Sequence, residues 1–150
     1  MLEQEIAALV HFLEPLKLKH YFGELPKGFA TPSVYFPPPE IDGDQFSVST
    51  YENLFTVYIK VFDRTSMDSF NLASQIVKSI QSRKKRIPLY DENGKLTGRN
   101  FRIIKLNARN IDTGVTQIHI SWKTHTAYDE ETYIKAARFF YEGLPVSRKE

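Results

Sequence analysis

Four imidazoles, His11, His20, His119 and His125, are the residues best suited to move protons or hold a metal. None pairs with another at the i, i+4 spacing that sets two nitrogens on one helical face, and no His-Glu-x-x-His arrangement occurs. His119 and His125 flank Trp122 near a strand end and could be imagined as acid and base. As residues of a polar strand face, however, they need a perturbed environment before such a role follows. Asp129-Glu130-Glu131 stands where a helix begins, and its ordinary work is capping. There is no Gly-x-Ser-x-Gly and no Gly-rich phosphate cradle. The chain has no cysteine, which excludes disulfides, thiolate nucleophiles and Cys-based zinc sites. The sequence therefore predicts a protein that is not an enzyme, needs no cofactor or metal, and acts by binding.

Three stretches could supply that binding. Arg83-Lys84-Lys85-Arg86 places four consecutive cations where phosphates or a partner's carboxylates could meet them. Its plain alternative is a helix end whose cations complement the carbonyl dipoles. The charged, Gly-rich tip from Asp91 to Gly98, with Glu92, Asn93 and Lys95 and with Arg99 just beyond, is either a solvated hairpin end or an arm reaching to a partner. Tyr35, Phe36, Pro37, Pro38 and Pro39 form a step that could pack on a neighbouring copy, dock aromatics or simply connect rigidly.

The elements that must position these residues follow from periodicity. Ile6, Leu9, Val10 and Leu13 recur at helical spacing, predicting a helix over about residues 2–14 that Pro15 ends or bends. Residues 16–31, with Gly23, Pro26 and Gly28, read as an irregular connection. Ser33 to Phe36 predicts a short strand at a sheet edge, leaving as polyproline II because prolines cannot donate ladder hydrogen bonds. Phe55, Val57, Ile59 and Val61 alternate with Thr56, Tyr58 and Lys60, the period of a strand with one dry face. Residues 46–51 read as its antiparallel partner across a Glu52-Asn53 turn. Thr65 or Ser66 caps a helix over 67–83 whose buried stripe is Phe70, Ala73, Val77 and Ile80, with Ile76 beside it. A hairpin around Glu92-Asn93-Gly94 follows, then strands over 101–109 and 115–124 facing each other across Asp112-Thr113-Gly114. In the last strand Ile118, Ile120 and Trp122 point to the dry side. Asp129 then caps a helix carrying Tyr133, Ala136, Ala137 and Phe140, stopped by Gly143 and Pro145, and residues 146–150 read as a flexible tail.

The fold class expected is α+β, a mainly antiparallel β-sheet flanked by helices in a single domain over residues 1–150. At this length a chain buries roughly two thirds of its unfolded surface, so no covalent staples are needed. A formal net charge of +2 is too small for the dense phosphate neutralisation that dominates nucleic-acid affinity. A single-stranded nucleic-acid module, with bases stacked on exposed rings, is thus a weaker competing class. No basic stretch followed by an apolar run marks a secretory signal, and no apolar run nears the ~18 residues that span a bilayer, so the expectation is a soluble protein.

Ser33-Val-Tyr-Phe-Pro37, then Phe55-Thr-Val-Tyr-Ile-Lys-Val-Phe62, then the helix Asn71-Leu-Ala-Ser-Gln-Ile-Val-Lys-Ser-Ile80, resembles the tail terminator, or tail completion, proteins of tailed bacteriophages and phage-like contractile particles. Ile111 to Trp122, followed by Tyr128 and an aromatic-rich segment, extends the likeness over about residues 30–140. The resemblance implies a small α+β subunit found in the virion at the head-tail junction and made in the host cytoplasm. It would form a homomeric ring, a hexamer, on the last ring of tail tube protein, end tube polymerisation and offer a surface to the head-tail connector or stopper protein. The tail sheath is a further implied partner, and DNA would pass through the ring without sequence-specific binding. A head-completion or connector subunit from the same junction is the nearest alternative. The resemblance carries no catalytic residues.

Overall fold

The computed structural model describes residues 4–128. Helix α1, Gln4–Leu13, buries Ile6, Ala8, Leu9 and Leu13. Pro15 falls in a 3₁₀ turn, Glu14–Leu16, which ends with Lys17 in the left-handed region at φ 55. The chain thus bends at the proline, as that residue's missing N–H and fixed φ require.

The next segment departs from expectation. Lys19–Phe22 forms β1, which pairs in parallel with β2, Ser33–Phe36, from Lys19↔Ser33 to Phe22↔Phe36. β2 also pairs antiparallel with β4, so it is an inner strand and β1 takes the edge assigned to it from the prolines. Pro37 to Pro39 lie after β2 and leave its ladder intact, so they restrict only where it stops.

β3, Glu40–Gln45, pairs with β4, Thr50–Phe62. The turn expected at Glu52-Asn53 is instead at Phe46 to Ser49, and Glu52 and Asn53 lie within β4. Ser47 decides this: its backbone N–H donates to Thr50 O at 3.0 Å and its Oγ accepts from Thr50 N at 3.1 Å. Short hydroxyl side chains organise turns in this way, whereas Glu-Asn brings no glycine to accept a positive φ.

Helix α2, Ser66–Ser82, is capped by Thr65, whose side chain accepts from Asp68 N. Its buried line is Ser69, Ala73, Ile76 and Ile80, while Phe70 is 41% exposed. The stripe starts one residue before the expected position because the Ser69 hydroxyl meets that of Thr116 at 2.8 Å and is satisfied inside.

β5, Arg86–Tyr90, β6, Leu96–Asp112, and β7, Val115–Ala127, complete a seven-stranded sheet of order β1-β2-β4-β7-β6-β5, with β3 on β4. Val57, Ile59, Val61, Ile103, Ile118, Ile120 and Trp122 form its dry face with α1 and α2 side chains. The fold class is α+β with a mostly antiparallel sheet. By compactness, among the described residues, 4–41 with 55–123 make one unit and 42–54 with 124–128 make another. The helix expected from Asp129, with Tyr133, Ala136, Ala137 and Phe140, and the tail over 146–150 lie outside the described residues. No described helix is long and apolar enough to cross a membrane.

Candidate partner-binding surface

In the larger unit the basic run sits where α2 hands over to β5. Arg83 N donates to Ile80 O, Lys84 N to Gln81 O and Lys85 N again to Ile80 O, which closes the helix end. Closure forces Lys84 and Lys85 into the left-handed region at φ 58 and φ 61, where side chains other than glycine are strained. Arg83, Lys84 and Arg86 are exposed and Lys85 is half-buried. The Arg83 guanidinium lies 5.6 Å from the centre of the Phe12 ring, within cation–π range.

Beside this turn is an open groove of about 670 Å³. Its walls are His11 to Leu16 from α1 and the 3₁₀ turn, Ser79, Ser82 and Arg83 from α2, and Pro88 and Tyr90 from β5. His11 stacks on Tyr90 with ring centroids 4.1 Å apart, and Gln4 Nε2 donates to Tyr90 O at 3.0 Å, so the groove wall is fixed from two sides. Sequence reasoning missed this groove. Tyr90 and Phe12 were visible only as members of separate elements, and their meeting depends on how α1 lies against β5.

The hairpin tip is organised by Asp91, whose carboxylate accepts from Asn93 N at 2.9 Å and Lys95 N at 2.8 Å. Gly94 takes φ 79 there, as expected. Asp91, Glu92, Asn93, Lys95 and Arg99 are all exposed. Of the proline step, Phe36 is 2% exposed, with its ring against Phe22 and His20 of the same chain. Tyr35 is half-buried and its hydroxyl donates to Gly23 O. Pro38 is exposed, with Pro37 and Pro39 half-buried beside it.

The histidines have mixed surroundings. Burial lowers the pKa of His20, against the pull of Glu14. Burial and then Lys105 lower that of His119, against Glu40. His119 Nε2 meets Ser121 Oγ at 3.2 Å, and Ser121 Oγ meets Thr56 Oγ1 at 3.2 Å, a polar chain whose two hydroxyl residues are buried. In the smaller unit His125 Nε2 sits 3.1 Å from Glu52 Oε1, and its ring is 4.2 Å from that of Phe46. Among the described residues no cluster of three or more His, Asp or Glu could hold a metal ion.

That smaller unit holds a second surface without a sequence signal. Phe46 and Val48, at the turn between β3 and β4, are 60% and 67% exposed.

Comparison with known proteins gives the surfaces a context. The chain is 32% identical over 108 residues to the phage-like element PBSX protein XkdJ of Bacillus subtilis (strain 168), covering 72% of this chain and 74% of that protein. It belongs to the XkdJ family. A second Bacillus subtilis (strain 168) relative, the uncharacterized protein YqbJ, is 30% identical over 131 residues, which are 87% of this chain and 90% of YqbJ. No protein-family profile matches. A chain from the virion of a native gene transfer agent particle superposes with a TM-score of 0.46 at 13% identity, over 81% of this chain and 92% of that one. The XkdJ kinship reaches the chain without any motif for catalysis, and it leaves the exposed turn, groove and hairpin as the features to account for.

Proposed function

We propose that this protein is a virion structural component of a phage-like particle, and that it serves as the tail terminator. Copies join in a six-membered ring on the end of the tail tube, stop its growth and present the surface that meets the head-tail connector. The protein then acts by docking and forms no covalent product. Kinship with XkdJ, a protein of a phage-like element, carries the reading. The physical demands of the role fit the chain. A closed ring needs a front and a back that differ, and capping needs one face that matches tube protein and another that does not repeat it. In this reading Arg83 to Arg86 meet acidic groups on a neighbour, Asp91 to Arg99 reach tube or connector, and Pro37 to Pro39 face the adjacent copy.

Mass measurement of the purified chain, alone and with tube protein, tests this. A closed six-copy species in the mixture, with tubes of fixed length, is expected. Binding to a connector with no effect on tube growth would overturn the terminator assignment. Deleting residues 92–98 should spare the fold and weaken attachment to tube. Unchanged assembly after that deletion would remove the hairpin from the contact.

A further inference from the structure

From Glu40 to Ile59 the chain carries no lysine or arginine, while Glu40, Asp42 and Asp44 line the exposed β3 strand. Just past that strand Phe46 and Val48 are exposed, the Phe46 ring leaning on His125 with one side. An apolar tip on a ribbon whose charged side chains are all acidic has a chemistry that matches a basic, partly apolar receptor. The groove beside α2 has that chemistry. Phe12, Leu13, Leu16 and Tyr90 give it apolar lining, Arg83 stands in its wall, and the exposed Lys84 and Arg86 follow in the adjoining turn. Glu14 is the acidic residue among those lining it. Its volume of about 670 Å³ lies within the range of roughly 300–1,000 Å³ over which concave sites hold a ligand.

We propose that the occupant of this groove is the β3–β4 turn of another copy of the same chain, with Phe46 and Val48 against the rings and Asp42 and Asp44 against the basic turn. The contact is heterologous, joining two different patches, and so can propagate from copy to copy. Charge complementarity selects the register, and the apolar tip supplies the anchor near the centre of the contact. This inference rests on the ring reading and names the interface that would build the ring.

The cysteine-free sequence permits a direct test. Val48→Cys is made in one preparation and Ser82→Cys in another; the two full-length proteins are mixed and oxidised. The expected result is a mixed disulfide forming at least tenfold faster than that between Val48→Cys and a control Lys27→Cys protein. Adding Asp42→Lys and Asp44→Lys to the first protein should slow the reaction at least tenfold. Adding Arg83→Glu and Lys84→Glu to the second should restore most of the rate, provided circular dichroism shows both folded. Equal rates with Ser82→Cys and Lys27→Cys, or no rescue by the paired charge reversal, would overturn the contact. The ring reading fails separately. Selective cross-linking that gives only open chains, with or without tube protein, keeps the contact and removes the ring. Closed rings formed without selective cross-linking keep the ring and remove the contact.

Discussion

Gly114, in the turn between β6 and β7, is the position where one added carbon should do most harm. It takes φ +71, and a Cβ built there would lie 2.5 Å from the backbone oxygen of Asp63. Backbone cannot swing aside as a side-chain end can. The same glycine accepts from Asp63 N at 3.0 Å and donates to the Ser66 hydroxyl at 3.2 Å, so it ties the β6–β7 turn to the entry of α2. Gly114→Ala therefore adds a left-handed non-glycine residue, costing about 1–2 kcal/mol. It also displaces at least one hydrogen bond, worth about 1 kcal/mol. Together these give roughly 2–3 kcal/mol, which for a chain of this size lowers Tm by about 4–12 °C. Gly94 is the internal control. It has nearly the same φ, +79, with nothing within 4 Å of the added carbon, so Gly94→Ala should cost only about 1–2 kcal/mol. Thermal and urea denaturation followed by circular dichroism measure both variants. If Gly114→Ala proves no worse than Gly94→Ala, the close approach to Asp63 is not a real constraint and the reasoning fails.

The left-handed lysines after α2, Lys84 and Lys85, predict the opposite sign. Lys84→Gly relieves strain at φ 58 and should raise stability by about 0.5–1 kcal/mol after the entropy cost of glycine, read as a higher urea midpoint; a fall would show that the lysine stem contributes packing. The pH dependence follows from His20 and His119, whose folded-state pKa values burial lowers below the ordinary 6.5. The unfolded chain then binds more protons, so their contribution is fully present above about pH 6.5 and is lost as pH falls through that value toward the lower folded values. His119→Gln, which can still reach Ser121, should flatten the decline in urea midpoint between pH 7 and 5, and an unchanged slope would remove His119 as a cause.

Where a period was long enough to declare a dry face, the sequence disclosed the element. β4 and β7 follow the alternation of Phe55 to Val61 and of Ile118 to Trp122, and the Asn93-Gly94 turn follows from the φ that glycine permits. Short elements held in place by distant partners were hidden. β1 spans four residues with no fully buried side chain, and it exists because β2 offers a parallel ladder. The Ser47 turn depends on hydroxyl contacts that rank below a strand pattern in any periodicity argument. For the candidate surface, the basic run and the Asp91 tip were legible as charge and turn chemistry. The groove was not, since His11 and Tyr90 lie far apart in sequence and meet only through the packing of α1 near β5.

Two hydroxyl pairs lie inside the larger unit, Ser69 with Thr116 and Thr56 with Ser121, and all four residues are 8% exposed or less. A hydroxyl can both give and take a hydrogen bond, so Ser69 also donates to Ser66 O at 3.0 Å and Ser121 also meets His119 Nε2 at 3.2 Å, whereas Thr116 and Thr56 are each met by their serine. Removing a serine takes away the hydroxyl that meets its buried threonine, whereas exchanging both members for alanine and valine removes that unmet need. Across relatives, these positions should consequently drift as couples, either both hydroxylic or both aliphatic, and intermediates with a single substitution should be rare.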